Sequence, residues 1–135
     1  MSEVSYMSLT TTDNITNLMQ NFLDVQSRRA QVVAGNIANA DTPNYKAKQL
    51  KFDEFLRDAA QQAQLPASQQ NKQFLSTSKM SVVEQDSKTI GLDGNTVDTG
   101  EQMANLAEIG TNFNFGAKIL QSRLRLLRTA IREGR

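Results

Sequence analysis

The feature that most constrains this chain is the run Asn36-Ile37-Ala38-Asn39-Ala40-Asp41-Thr42-Pro43-Asn44-Tyr45-Lys46, which must end a long helix. Pro43 disfavours helical geometry at Thr42, and Asn44 is one of the few non-glycine residues that tolerates a positive φ. Upstream of this stop, Ile15, Leu18, Phe22, Val25, Arg29, Val32 and Asn36 alternate steps of three and four. That is one heptad seam, flanked by Met19, Val33 and Ile37. Thr12 offers an N-cap, with Asp13 in the first turn to meet the helix dipole.

A second seam occupies the other end of the chain. Met103, Leu106, Gly110, Phe113, Ala117, Leu120, Leu124, Leu127 and Ile131 keep the same alternation without a break. Asp98, with Glu101 three residues later, resembles a capping box that opens this helix. Such a length of seam points to a coiled-coil-like element rather than an ordinary globular helix. Gly110, Ala117 and the neighbouring Gly116 thin it. Each helical glycine costs about 1 kcal/mol against alanine, so close approach by a partner helix is the reason expected for them. Arg29 and Asn36 are the polar members of the first seam. For Arg29 the alternatives are a side chain snorkelling from a half-exposed stripe, a register device, or an ion pair between subunits.

The expected fold is therefore mainly α. N- and C-terminal helices over 12–40 and 98–134 form a coiled-coil-like hairpin around a loop-rich middle. Residues 1–11 are rich in Ser and Thr and read as disordered when alone. In the middle, 41–97, Phe52, Phe55 and Leu56 follow the turn, and Asp58 to Gln64 can extend a short helix. Residues 66–89 carry few large apolar side chains and read as loop, or as a segment ordered only in an assembly. Asp93-Gly94 lies between apolar residues in Ile90–Val97, which predicts a small β-hairpin there.

The chain offers little for catalysis. It has neither cysteine nor histidine, which removes thiolate chemistry, the usual general base and the commonest transition-metal ligand. Asp93, Asn95 and Asp98 suggest a calcium loop but fail its template. A loop begun at Asp86 places Gly91 sixth, yet puts Lys88 third and Val97 twelfth. A turn followed by a helix cap is the better account. With no phosphate-binding glycine loop and no nucleophile elbow, no enzyme, metal site or cofactor is expected.

The 15 basic and 14 acidic residues nearly cancel overall but segregate along the chain. Lys118, Arg123, Arg125, Arg128, Arg132 and Arg135 face only Glu133 near the C-terminus, whereas residues 1–24 carry Glu3, Asp13 and Asp24 with no base. Opposite charge at the two ends suits helices that pair within or between subunits. No stacking aromatics accompany the arginines, which argues against nucleic acid. Residues 1–6 have neither the basic nor the apolar region of a cleaved export signal, and no apolar run is long enough to span a bilayer.

These motifs resemble a known family. Asn36–Lys46 is similar to the signature that bacterial flagellar rod and hook proteins carry after their N-terminal helix. Combined with Asp93-Gly94-Asn95-Thr96-Val97-Asp98, a short chain and Leu127-Arg128-Thr129-Ala130-Ile131, it resembles the FlgB type of proximal rod protein. The turn residues carrying the likeness are Asn36, Asn39, Asp41, Thr42, Pro43, Asn44 and Tyr45. That family usually has glycine where Asn44 stands. The resemblance implies a structural subunit of the basal body, in the periplasmic rod. It implies export through the flagellar type III apparatus without a cleaved signal, and self-assembly through the terminal helices to transmit torque. Expected partners are other rod subunits, the rod-base adaptor FliE and the export gate.

Phe52-Asp53-Glu54-Phe55-Leu56 resembles the Phe-x-x-x-hydrophobic element of early export substrates, with Phe52 and Leu56 as its anchors. Local packing of those two side chains is the alternative. The interface is expected on the seams, with Leu18, Phe22, Val25 and Val32 against Leu106, Phe113, Leu120, Leu124 and Leu127. A cytoplasmic helical adaptor or export chaperone is the other reading of such a chain; it would be folded alone, whereas a rod subunit should have mobile termini by hydrogen exchange.

Overall fold

Two long helices run antiparallel, with a small sheet at one end and a short helix lying along the first of them. The computed structural model describes residues 3–66, 69 and 79–134, with side chains of the first helix from Asn14 onward. That helix, α1, spans Glu3–Ala38 and ends at the predicted stop. It begins well before Thr12, since no proline or glycine interrupts it before Gly35. The C-terminal helix, α3, spans Thr99–Glu133 without a break at either glycine, and the Asp98 side chain caps it by accepting from the Glu101 backbone N–H.

Contacts along the pair fix its direction. Near the joint Asn36 meets Gln102; further along Arg29 meets Glu108; beyond that Phe22 and Leu23 lie against Gly116. A Cβ at Gly116 would fall 3.0 Å from both Leu23 Cδ2 and Phe22 Cδ1, so glycine is what lets the helices close there. At Gly110 a Cβ would have nothing within 4 Å.

The middle is more ordered than its composition suggests. Strand β1 (Lys48–Lys51) pairs antiparallel with β2 (Ser81–Glu84), Lys48 opposite Glu84 and Lys51 opposite Ser81. Between them α2 spans Asp53–Gln64 and docks on α1 through Phe55 and Ala59, both buried. The Asn14 side chain secures the far end of α2 by donating to the Ala63 carbonyl at 3.1 Å. A two-stranded sheet is thus present, but its strands are not where the Asp93-Gly94 turn pointed. Ile90–Val97 is a non-strand loop, because its polar groups bond to the α1 turn instead of to each other across a ladder. Part of the stretch expected to be loop, 66–89, supplies β2; residues 67, 68 and 70–78 lie outside the described residues.

Candidate functional site: a buried amide joint and an uncovered apolar face

The signature turn is a polar joint that welds the end of α1 to the start of α3. Asn36 is fully buried and makes a two-way amide pair with one residue of β1. Its Oδ1 accepts from the Lys48 backbone N–H at 2.9 Å, and its Nδ2 donates to the Lys48 carbonyl at 2.7 Å. The same Nδ2 donates to Gln102 Oε1 at 2.9 Å, bringing in α3. Gln102 is 1% exposed and reaches on to Gln85 just after β2. One carboxamide therefore ties α1, β1 and α3 together, which an apolar side chain at that seam position could not do.

The rest of the turn is joined to the loop before α3. Asn95 donates to the carbonyls of Asn39 at 2.9 Å and Thr42 at 2.7 Å, while its own Oδ1 accepts from the Val97 N–H. Thr96 returns the contact: its N–H donates to the Tyr45 carbonyl, and its hydroxyl accepts from the Ala47 N–H. Asn39 caps the last turn of α1 by donating to the Gly35 carbonyl at 2.8 Å and accepts from the Thr42 hydroxyl. Asn44 adopts φ 59 and its N–H donates to the Asp93 carbonyl. Gly94, at φ 79, lies so close to Asn44 that a Cβ would fall 2.4 Å from its Oδ1. Asp41 and Pro43 are exposed, and Tyr45 is half-buried, its hydroxyl 3.5 Å from Asn36.

The residues that suggested calcium serve this joint. Asp93 Oδ1 accepts from the Asn95 N–H, Asn95 is the latch, and Asp98 is the helix cap. Among the described residues, no group of three or more His, Cys, Asp or Glu is arranged to hold a metal ion, and no helix is long and apolar enough to cross a membrane.

The second part of the site is what α3 leaves uncovered. Its side chains facing α1 follow Gln102, Asn105, Ile109, Asn112, Gly116 and Ile119, one residue ahead of the apolar seam at each step. One residue is about 100° of helix rotation, so the seam flanks the α1 contact instead of filling it. Leu106 is 40%, Phe113 41% and Leu124 48% exposed, and Met103 and Ile131 are more so. Leu120 and Leu127 are half-buried. On α1, Val25 is buried while Leu18, Phe22 and Val32 are half-buried. Leu106, Phe113, Ile109 and Gly110 form one wall of a groove whose other wall is Gln26, Ser27 and Ala30 of α1.

Phe52 and Leu56 are both half-buried at the start of α2, with the Arg29 guanidinium 5.2 Å from the Phe52 ring centroid. Arg29 also lies 3.8 Å from Glu108, so within the chain it serves as a bridge among α1, α2 and α3. Sequence reasoning missed Gln102, Gln85 and Thr96 as joint residues. Glutamine and threonine beside a helix cap carry no pattern that marks them as buried.

The geometry accounts for Asn36, Asn39, Thr42 and Asn44 of the turn as architecture. The comparisons with known proteins agree on its origin. The family model for flagella basal body rod proteins matches residues 23–46, the second half of α1 with the turn. The chain is similar to the flagellar basal body rod proteins. It is similar nearly end to end to proteins named flagellar basal body rod protein FlgB. The Bacillus subtilis protein is 28% identical, covering 87% of this chain and 92% of its own length. The Aeromonas hydrophila protein is 29% identical over 89% of this chain and 94% of its own. That of Salmonella typhimurium is 26% identical over 90% and 96%.

Proposed function

We propose that this chain is a subunit of the proximal rod, exported by the flagellar type III apparatus and built into a torque-transmitting tube in the periplasm through its terminal helices. The observation that carries the reading is the apolar seam of α3, which keeps heptad spacing over the whole helix yet stands exposed at Met103, Leu106, Phe113, Leu124 and Ile131. An apolar face of that length and regularity is maintained for a helix the lone chain does not contain. Its neighbours are other rod subunits and, at the base, an adaptor of the FliE kind. The joint supports the mechanical role: hydrogen bonds across α1, β1 and α3 make the end of the hairpin rigid, so a torque on one helix passes to the other.

Phe52 and Leu56 are the residues we assign to the export gate. In the folded subunit both are partly covered, so the gate meets them before α2 has docked. Mass spectrometry of purified hook–basal bodies tests the assignment: the chain should appear at a level comparable with other rod subunits. Its absence there, with the protein abundant in the cytoplasm, overturns the reading. Changing Phe52 and Leu56 together to alanine should stop secretion while cytoplasmic levels hold. Normal secretion of that variant would sink the export assignment alone.

A further inference from the structure

Gly110 and Gly116 lie close together on one helix, yet the chain uses only one of them. Gly116 is filled to contact by Phe22 and Leu23, whereas Gly110 faces open space. An exposed helix glycine weakens its helix unless something approaches closely. Here it sits on the floor of the α1–α3 groove, about 400 Å³ in volume, between Leu106 and Phe113. The facing wall is kept low by Ser27 and Ala30, and no charged residue lines the groove.

An apolar helix face fits such a groove. Among the described residues, the exposed large apolar side chains at helical spacing all belong to α3 itself; Val82, Ile90 and Leu92 lie on β2 and the following loop. We propose that in the free subunit a second copy of this chain covers the groove, its α3 running antiparallel to the first. Side-chain size selects the register. Gly110 then stands against Leu120 of the partner subunit, Ala117 against Phe113 of the partner subunit, Leu106 against Leu124 of the partner subunit, and Met103 against Leu127 of the partner subunit. Small residues meet large ones at the centre and leucines meet at the flanks, as interdigitating helices require.

Charge selects the direction. Arg123, Arg125, Arg128 and Arg132 crowd the C-terminal half of α3, while Asp98 and Glu101 mark its start. A parallel, in-register pair would set the arginines side by side; the antiparallel pair sets them beside the acidic start. The contact is isologous and closes on itself, so it cannot propagate a filament. It deepens the rod reading by giving the free subunit a pair that keeps its assembly seam covered and must separate before incorporation.

The chain has no cysteine, which makes the test direct. Leu106→Cys and Leu124→Cys, both at exposed positions, are purified as full-length chains and oxidised separately and mixed. A disulfide-linked dimer should form in the mixture and not with either variant alone. Sedimentation of the unmodified chain should show a concentration-dependent dimer. Gly110→Leu should weaken it about tenfold or more without lowering helix content or, at concentrations where the chain is monomeric, the unfolding midpoint. A monomer up to about 100 µM, cross-linking of either variant with itself, or a Gly110→Leu chain that dimerises normally would each overturn the proposal. The rod reading is judged separately, by the chain's presence in basal bodies, and survives any of those results.

Discussion

Replacing Asn36 with alanine removes a side chain that ties α1 to both β1 and α3, and the structure sets the cost. The substitution leaves Gln102 Oε1 without its donor inside a buried site, and leaves the Lys48 N–H and carbonyl without partners. A buried polar group stripped of its partner costs about 1–3 kcal/mol. Lys48 is an exposed residue, so water recovers part of its share. The expected loss is therefore about 2–4 kcal/mol, a large part of the roughly 5–15 kcal/mol typical of a domain.

Urea unfolding followed by circular dichroism at 222 nm reads this directly. With a slope of about 1–2 kcal/mol/M, the midpoint should fall by about 1–4 M with the slope unchanged. Asn36→Asp should do no better than alanine. It keeps an acceptor for the Lys48 N–H but turns a second oxygen toward the Lys48 carbonyl and adds a buried charge. Thr42→Ala, which removes an exposed hydroxyl bonded to Asn39, serves as the control and should stay within about 0.5 kcal/mol. If Asn36→Ala fell within that same margin, the account of the signature turn as an amide joint would be wrong.

Three further outcomes follow from the same geometry and can be read by thermal or urea unfolding. Gly110→Ala should raise stability by about 0.5–1 kcal/mol, whereas Gly116→Val should lower it by about 1–3 kcal/mol by pushing into Phe22 and Leu23; equal effects would refute the assignment of which glycine α1 occupies. Gly94→Ala should cost about 1–3 kcal/mol, since it meets both a positive φ and the Asn44 side chain. Phe55→Ala, at a residue 2% exposed, should cost about 3–5 kcal/mol and expose α2 to limited proteolysis; protection equal to the parent would mean that α2 is not held through Phe55.

Much of this fold could be read along the chain because its signals are local. Pro43 and Asn44 stop α1 through backbone sterics, Asp98 starts α3 by capping it, and the alternation of threes and fours makes both elements helical and amphipathic. None of that needs knowledge of a neighbour. Pairing does. Strand β1 found β2 rather than a hairpin forming at Asp93-Gly94, because Asn95 and Thr96 bond to the α1 turn and leave that loop no ladder to make.

The rotation of α3 was equally out of reach. Periodicity identifies the apolar face of a helix but not which face its own chain covers. Two polar residues, Asn36 and Gln102, and a glycine set that choice. The amides found each other at the joint and Gly116 admitted Phe22 and Leu23, so α3 turned about 100° away from its apolar seam. What sequence determined was two helices, the stop of the first, the start of the second and a signature turn; only tertiary packing decided that the apolar face of α3 would point outward. The reason is that buried hydrogen bonds and steric fit act between elements, and their partners are distant in the chain.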